Sequence, residues 1–132
     1  GRGEGRAEAR RVAGDGGAVI WPALIGMAKA KELLMTGDLI SGSEAAAIGL
    51  INYSVSKDQL DTKVAEMCAK ILGNPRWAVR WTKTVMNQQL RAAANLMADS
   101  AVAYEMLSNM TSDRAEAVAA FKEKRAMKLT GE

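Results

Sequence analysis

The stretch Leu34–Asn52, LMTGDLISGSEAAAIGLIN, carries the clearest local signals for the fold. Gly37 follows a run of strong helix formers and suits the left-handed conformation that ends many helices. Ser41 and Glu44 have the spacing of a capping box, in which the Ser hydroxyl and the Glu carboxylate each satisfy a free amide at a helix start. Gly49 ends the helix that this box opens. The stretch therefore predicts a helix ending before Gly37 and a short second helix after Ser41.

Helical periodicity continues on the carboxyl-terminal side of this stretch. Apolar residues at steps of four, three and four along 60–71 predict one helix. Small or apolar residues at alternating steps of three and four between positions 93 and 110 predict an amphipathic helix that ends near Asn109. A last helix, capped within Thr111–Asp113, is expected to run to about Lys128.

Asp58 and the two prolines predict further helix boundaries. Asp58 is expected to cap the helix over 60–71. Asn74 is expected to cap another helix, with Pro75 at its first position, where a missing N–H is tolerated. Pro22 is expected to start or kink a short helix rather than to lie deep inside one.

The apolar residues are of a type that favours helices. Of the 132 residues 64 are apolar, but 24 of these are Ala and only six are aromatic. Ala has the highest helix propensity, whereas sheets are enriched in β-branched and aromatic residues. The composition disfavours a β-sandwich or barrel. It predicts a mainly α fold, with at most a small two-stranded β element formed by Asp38–Ser41 and Leu50–Ser56.

The absence of His and the single Cys exclude several kinds of site. The sequence offers no His general base, no Ser–His–Asp or Cys–His nucleophile and no Cys/His zinc site, so no metal is expected. Cys68 cannot form an internal disulfide, which indicates a reducing compartment; we expect a cytoplasmic protein and a buried Cys68. The longest nearly uncharged apolar stretch, Gly16–Ala28, has 13 residues, too few to span a bilayer, so no membrane partner is expected.

The net charge of +3 is concentrated at the amino terminus. Residues 1–11 contain four Arg and two Glu, which leaves only +1 for the other 121 residues. Nucleic-acid binders usually combine a basic face with aromatic platforms, so no nucleic-acid partner is expected. We interpret residues 1–11 as a solvated or vector-derived arm, separate from a domain over residues 12–132.

Several segments, in order and spacing, resemble the enoyl-CoA hydratase/isomerase (crotonase) family. The segments that carry the resemblance are Gly14–Gly17, Trp21-Pro22, Ile25-Gly26, Ala30–Asp38, Ile40-Ser41, Glu44-Ala45, Ile48–Asn52, Ala78–Lys83 and Ala120–Arg125. Together they cover about residues 12–132. The resemblance implies the helical, C-terminal part of a crotonase-like fold, with a coenzyme A (CoA) thioester as substrate and no covalently bound cofactor.

The resemblance also implies that catalytic groups of the family lie upstream of the point that matches Val12. Family members begin with a ββα spiral domain that carries the amides of the oxyanion hole and, in hydratases, two Glu side chains. We therefore expect this chain to be the C-terminal part of an acyl-CoA hydratase or isomerase of fatty acid metabolism, without complete catalytic machinery. The alternative is an active enzyme of this type that uses Asp15 or a partner chain.

Three residues are candidates for the remaining chemistry. The resemblance places Asp15 beside the acyl pocket as a catalytic residue, but the same carboxylate can simply cap the helix that follows. Phe121 and Lys124 match positions that contact the CoA adenine nucleotide. Their spacing of three places them on one helix face, one for stacking and one for phosphate. The alternative is a half-buried Phe beside a solvated Lys.

Without a spiral domain to cover them, the apolar helix faces favour self-association. Trp77, Trp81 and the Met residues are expected in a core or an interface. A soluble monomer rarely tolerates a contiguous apolar patch beyond a few hundred Å². We therefore expect a homo-oligomer, a dimer or a trimer, because homomeric contacts usually close with cyclic symmetry.

Overall fold

The computed structural model describes residues 16–132, and within this range the chain is helical. The six α-helices of residues 16–132 are α1 Gly17–Ile25, α2 Met27–Thr36, α3 Gly42–Ala47, α4 Leu60–Leu72, α5 Arg76–Asn109 and α6 Ser112–Glu123. A 3-10 turn over Lys57–Gln59 precedes α4. No residue from 16 to 132 lies in a strand. The prediction of a mainly α fold is confirmed, and the small β element that it allowed for is not formed in the described chain.

The Leu34–Asn52 stretch adopts the structure that its sequence predicts. Gly37 ends α2 in the left-handed conformation, with φ +68°. Ser41 caps α3: the N–H of Glu44 donates to the Ser41 Oγ at 3.2 Å, and the N–H of Ser41 donates to the Glu44 carboxylate at 2.7 Å. These hydrogen bonds form the reciprocal capping box. The end of α5 at Asn109 is confirmed as well.

The prediction for Pro22 is wrong, because this residue lies inside the helix, at the sixth position of the nine-residue α1. Its ring removes the N–H that would donate to the carbonyl of Ala18. The helix starts earlier than expected because Gly16 adopts φ +113° and its carbonyl accepts the N–H groups of Val19 and Ile20. Contacts of α1 with α2 and α5 hold this helix in place despite the missing hydrogen bond.

The predicted caps have different outcomes. Asn74 donates through Nδ2 to the carbonyl of Lys70 at 2.6 Å, so it closes α4 instead of capping the next helix. Pro75 therefore takes the N-cap position of α5, one residue before the helix. Asp58 lies in the 3-10 turn, and no side chain caps α4. Thr111 is confirmed as the cap of α6, because its Oγ1 accepts the N–H of the third helical residue at 3.2 Å.

Packing centres on α1, which contacts both α2 and α5, while α6 contacts α5. The buried apolar residues of the described chain are Ala30, Leu33, Ala45, Ala117 and Ala120. Large apolar side chains lie mostly outside this core: Leu72, Leu96 and Met110 are each more than four-fifths exposed. The helices of residues 16–132 therefore leave extensive apolar surface uncovered.

The core predictions for α4 and the start of α5 are wrong. Cys68 is exposed, not buried, because it lies on a helix whose contacts are mainly with the preceding 3-10 turn. Trp77 and Trp81 are also exposed, and their rings stack on each other with centroids 5.5 Å apart. An interface remains the prediction for these two aromatic residues.

The capping box of α3 provides a test of the local energetics. Ser41→Ala is expected to lower the free energy of unfolding by about 0.5–2 kcal/mol, because the Glu44 amide loses its acceptor. Urea denaturation followed by circular dichroism measures the change. Ser43→Ala is the matched control, since the Ser43 hydroxyl hydrogen-bonds to Ser41 Oγ and not to the Glu44 amide. Equal stabilities of the two variants would contradict the assignment.

Candidate functional site

The α6 helix ends in a left-handed turn at Lys124. With φ +54° and ψ +36°, Lys124 is the one non-Gly residue of positive φ among residues 16–132. Glycine usually occupies this position, since a Cβ in the left-handed region costs ~1–2 kcal/mol. Two backbone hydrogen bonds close the turn: Lys124 N–H donates to the Phe121 carbonyl at 3.3 Å, and Arg125 N–H donates to the Ala120 carbonyl at 3.0 Å.

Phe121 and Lys124 both lie at this turn, but not on a shared helix face. The helix ends at Glu123 rather than near Lys128, so the helical spacing no longer applies to Lys124. The Phe121 side chain is 44% exposed, which leaves its ring accessible for stacking. Lys124 is exposed and forms no ion pair with the described residues, which leaves its charge available to an anion. The adenine-contact role of this pair stays a prediction.

The residues that follow the turn, 125–132, fold back along α6; we call them the C-terminal strap. Glu116 holds the start of the strap. Both of its carboxylate oxygens accept hydrogen bonds from the Arg125 guanidinium, with 2.9 Å between Oε2 and Nη2. The N–H of Lys128 donates to the same carboxylate at 2.9 Å. A fork-to-fork contact of this kind fixes orientation as well as distance.

Asp113 holds the far end of the strap, near the start of α6. Its carboxylate accepts the N–H of Thr130 at 2.7 Å and the N–H of Gly131 at 2.9 Å. The Glu132 carbonyl accepts the N–H of Asp113 at 3.0 Å, and the Ser112 hydroxyl donates to the same carbonyl at 3.0 Å. The strap is therefore tied to α6 at both ends.

These contacts shift the ionisation of the participating groups. Hydrogen bonds from Arg125 and from the Lys128 backbone lower the pKa of Glu116 from 4.5 to about 2. Backbone hydrogen bonds, first from Thr130 and then from Gly131, lower the pKa of Asp113. The hydrogen bonds that the Arg125 guanidinium donates, first to Glu116 and then to Glu123, raise the pKa of Arg125. Near neutral pH the favoured forms are therefore the ionised ones, which hold the strap on α6; we call these contacts of Glu116 and Asp113 with the strap the clamp.

A second feature is an apolar cleft of about 580 Å³ between α1 and α5. Its lining consists of Gly16, Val19, Ile20, Asn87, Leu90, Arg91, Ala94, Ala98 and Ala101. Only Asn87 and Arg91 contribute polar side chains to that lining, so the cleft suits an apolar group. Asp15, the predicted catalytic residue, lies outside the described residues, as do residues 1–11.

Other kinds of site find no support in the described chain. Residues 16–132 contain no group of three or more His, Cys, Asp or Glu side chains placed to hold a metal ion. None of the helices in this range combines the length and apolarity that a membrane crossing requires.

The sequence did not reveal the strap, although it contains the charges that build it. The sequence has Glu116 and the oppositely charged Arg125 nine positions apart, but a helix continuing to Lys128 would keep their side chains apart. The pairing requires a chain reversal at residue 124. Because a Lys rather than a Gly stands there, the usual signal for such a reversal is missing.

The family is shown by comparison with known proteins. A family model described as enoyl-CoA hydratase/isomerase matches residues 10–132, so the chain belongs to the enoyl-CoA hydratase/isomerase family. The crotonyl-CoA hydratase of Syntrophomonas wolfei is 36% identical over 113 residues, which cover 85% of this chain and 43% of that protein. Enoyl-CoA hydratase domain-containing protein 2 of Bos taurus is 34% identical over 124 residues, or 90% and 42% of the two chains. The chain therefore spans less than half the length of these two relatives.

The fold agrees with the family. The crystal structure of an enoyl-CoA hydratase/isomerase from Pseudoalteromonas atlantica T6c superimposes with a TM-score of 0.76, covering 95% of this chain and 50% of that one. The two sequences are 20% identical, so the similarity concerns the fold alone. The resemblance to the helical part of a crotonase-like fold is confirmed.

The clamp on Glu116 predicts an acid-dependent contribution to stability. The pKa of this carboxyl is about 2 in the folded chain and near 4.5 when unfolded, so its ionised form stabilises the fold fully above pH 4.5. This contribution is expected to disappear as the pH falls from 4.5 to 2. Thermal unfolding of wild type and Glu116→Gln measures it. The difference in Tm should be constant between pH 5 and 7 and should shrink below that range; a difference that grows in acid would contradict the clamp.

Proposed function

We propose that this chain is the C-terminal, oligomerising part of a crotonase-type acyl-CoA hydratase or isomerase, and that it contacts the CoA adenine nucleotide through Phe121 and Lys124. The observation that supports this most directly is the turn at the end of α6, which carries an exposed Phe121 and an exposed Lys124 that forms no ion pair with the described residues. An adenine ring can stack on the first, and a phosphate can pair with the second.

The family's catalytic groups do not enter this proposal. Adding water to an unsaturated thioester requires amide donors for the developing oxyanion and carboxylates that move protons. The resemblance assigns both to positions upstream of Val12. The proposed role of the present chain is therefore binding and assembly, in a cytoplasmic protein of fatty acid metabolism.

Assembly is proposed from the uncovered surface of α4 and α5. Leu72, Trp81, Leu96 and Met110 are all well exposed, although soluble monomers rarely leave so many large apolar side chains in water. A homomeric contact of ~800 Å² per subunit would cover a large part of this surface. A dimer or trimer closed by cyclic symmetry is the proposed state.

An active enzyme is the alternative, and the cleft between α1 and α5 favours it. Val19 and Ile20 line this cleft, which offers an apolar space of a size that suits an acyl chain. Asp15, directly before Gly16 in the sequence, or a partner chain would then supply the reacting groups. Loss of the ultraviolet absorbance of a short enoyl-CoA thioester on incubation with the chain would support this alternative, whereas no turnover by a folded chain would count against it.

Titration with CoA, followed by calorimetry, tests the proposed contact. Phe121→Ala is expected to weaken binding at least about fivefold, because base stacking on an aromatic ring contributes ~1–3 kcal/mol. Lys124→Ala is expected to weaken it up to about fivefold, as for an exposed ion pair.

Matched controls accompany both variants. Tyr104→Ala removes another exposed ring, on α5, and Lys122→Ala removes a neighbouring positive charge on α6. Neither control should change CoA binding by more than a small fraction of the main effects. Equal losses for Lys122→Ala and Lys124→Ala would mean that net charge, and not this site, attracts CoA.

Light scattering at micromolar concentration tests the proposed assembly. The expected mass is two or three times the 14.1 kDa of one chain. Leu96 is 83% exposed in the single chain, and the proposed contact would bury it. Leu96→Glu is expected to shift the mass toward the monomer, since assembly would then bury a charge. A 14.1 kDa wild-type species that binds no hydrophobic dye would contradict the proposal.

A further inference from the structure

We propose that Glu116 and Arg125 are positioning residues for the Phe121–Lys124 site: by tying the strap to α6, they fix the left-handed backbone of Lys124 and so the direction in which its side chain leaves the chain. This inference rests on the proposed CoA contact. It adds a pair of residues that do not touch the ligand and act through Lys124.

The first step concerns the conformation of Lys124. A non-Gly residue in the left-handed region persists only where its surroundings over-determine it. Before Lys124 the backbone is held by α6, whose Ala120 carbonyl also accepts the N–H of Arg125. Residues after Lys124 need a separate anchor, because no regular structure follows the turn.

The strap supplies that anchor immediately next to Lys124. Arg125 is the adjoining residue, and its guanidinium reaches nine positions back to the Glu116 carboxylate through two parallel hydrogen bonds. The Lys128 N–H donates to the same carboxylate, and Asp113 receives the strap further along. With both flanks fixed, the φ of Lys124 has little freedom to relax.

The second step concerns the choice of Lys at this position. If the turn served only to reverse the chain, Gly would form it without the steric cost. The neighbouring charge on Arg125 is neutralised by Glu116 and Glu123, whereas the ammonium of Lys124 is not paired in the described chain. The clamp thus absorbs one positive charge and leaves the adjacent one available beside Phe121.

A double-mutant cycle on the full chain, with CoA as the probe, tests the coupling. Glu116→Gln is expected to weaken CoA binding by about twofold to fivefold, no more than Lys124→Ala itself, when Lys124 is present, and to have no further effect in the Lys124→Ala background. Arg125→Lys keeps the charge but loses the planar fork, so it should give a smaller loss with the same dependence on Lys124. Glu66→Gln is the control, since Glu66 is also ion-paired, with Lys63 and Lys70 on α4.

The possible outcomes separate the two proposals. Wild-type affinity in folded Glu116→Gln and Arg125→Lys, or equal losses with and without Lys124, would overturn the positioning role and leave the CoA contact standing. A wild-type chain that does not bind CoA would overturn the contact and the positioning role together. Lys124→Gly adds a readout on strain: it is expected to raise Tm by a few degrees while weakening CoA binding.

Discussion

The buried apolar residues of the described chain are four alanines and one leucine, and this constraint governs the rest of its structure. A buried methyl or methylene group contributes only about 0.8 kcal/mol, against ~1.5–3 kcal/mol for a whole Leu or Val side chain. Alanines let helices approach closely, but their burial offsets little of the backbone entropy that is lost on folding. Local hydrogen bonds, ion pairs and contacts with other surfaces must therefore carry much of the stability.

Two parts of the structure differ in the interactions that stabilise them. At α6, the acidic side chains of Asp113 and Glu116 tie the strap down through directed hydrogen bonds, in a region whose buried residues are Ala117 and Ala120. At α4 and the start of α5, no comparable set of hydrogen bonds covers the apolar side chains; the rings of Trp77 and Trp81 stack on each other, and two arginines lie over the Trp77 ring. The region around α6 is thus held by contacts within the chain, whereas the uncovered apolar side chains of α4 and the start of α5 are typical of an interface.

The sequence predicts those features whose cause lies within about four residues. The capping box at Ser41, the left-handed Gly37 and the Thr111 cap each depend on one short-range hydrogen bond or on one backbone preference, and all three are confirmed. Pro22 and Asn74 are mispredicted because their surroundings compete with the local rule: tertiary contacts keep α1 helical, and the end of α4 captures the Asn74 amide. Burial of Cys68 fails for the same reason, since amphipathic spacing predicts a face but not its partner.

The candidate site also combines features that can be predicted from the local sequence with features that depend on distant contacts. Phe121 and Lys124 can be selected from the sequence through their resemblance to a family pattern, but their geometry depends on the Glu116–Arg125 contact across nine positions. That contact in turn requires the reversal at Lys124, so neither feature can be predicted before the other. Each makes the other possible: the reversal brings the two charges together, and the paired charges hold a Lys where the backbone alone would prefer Gly. The charge of Lys124, which forms no ion pair with the described residues, is thus positioned by residues that the sequence pattern of the site does not include.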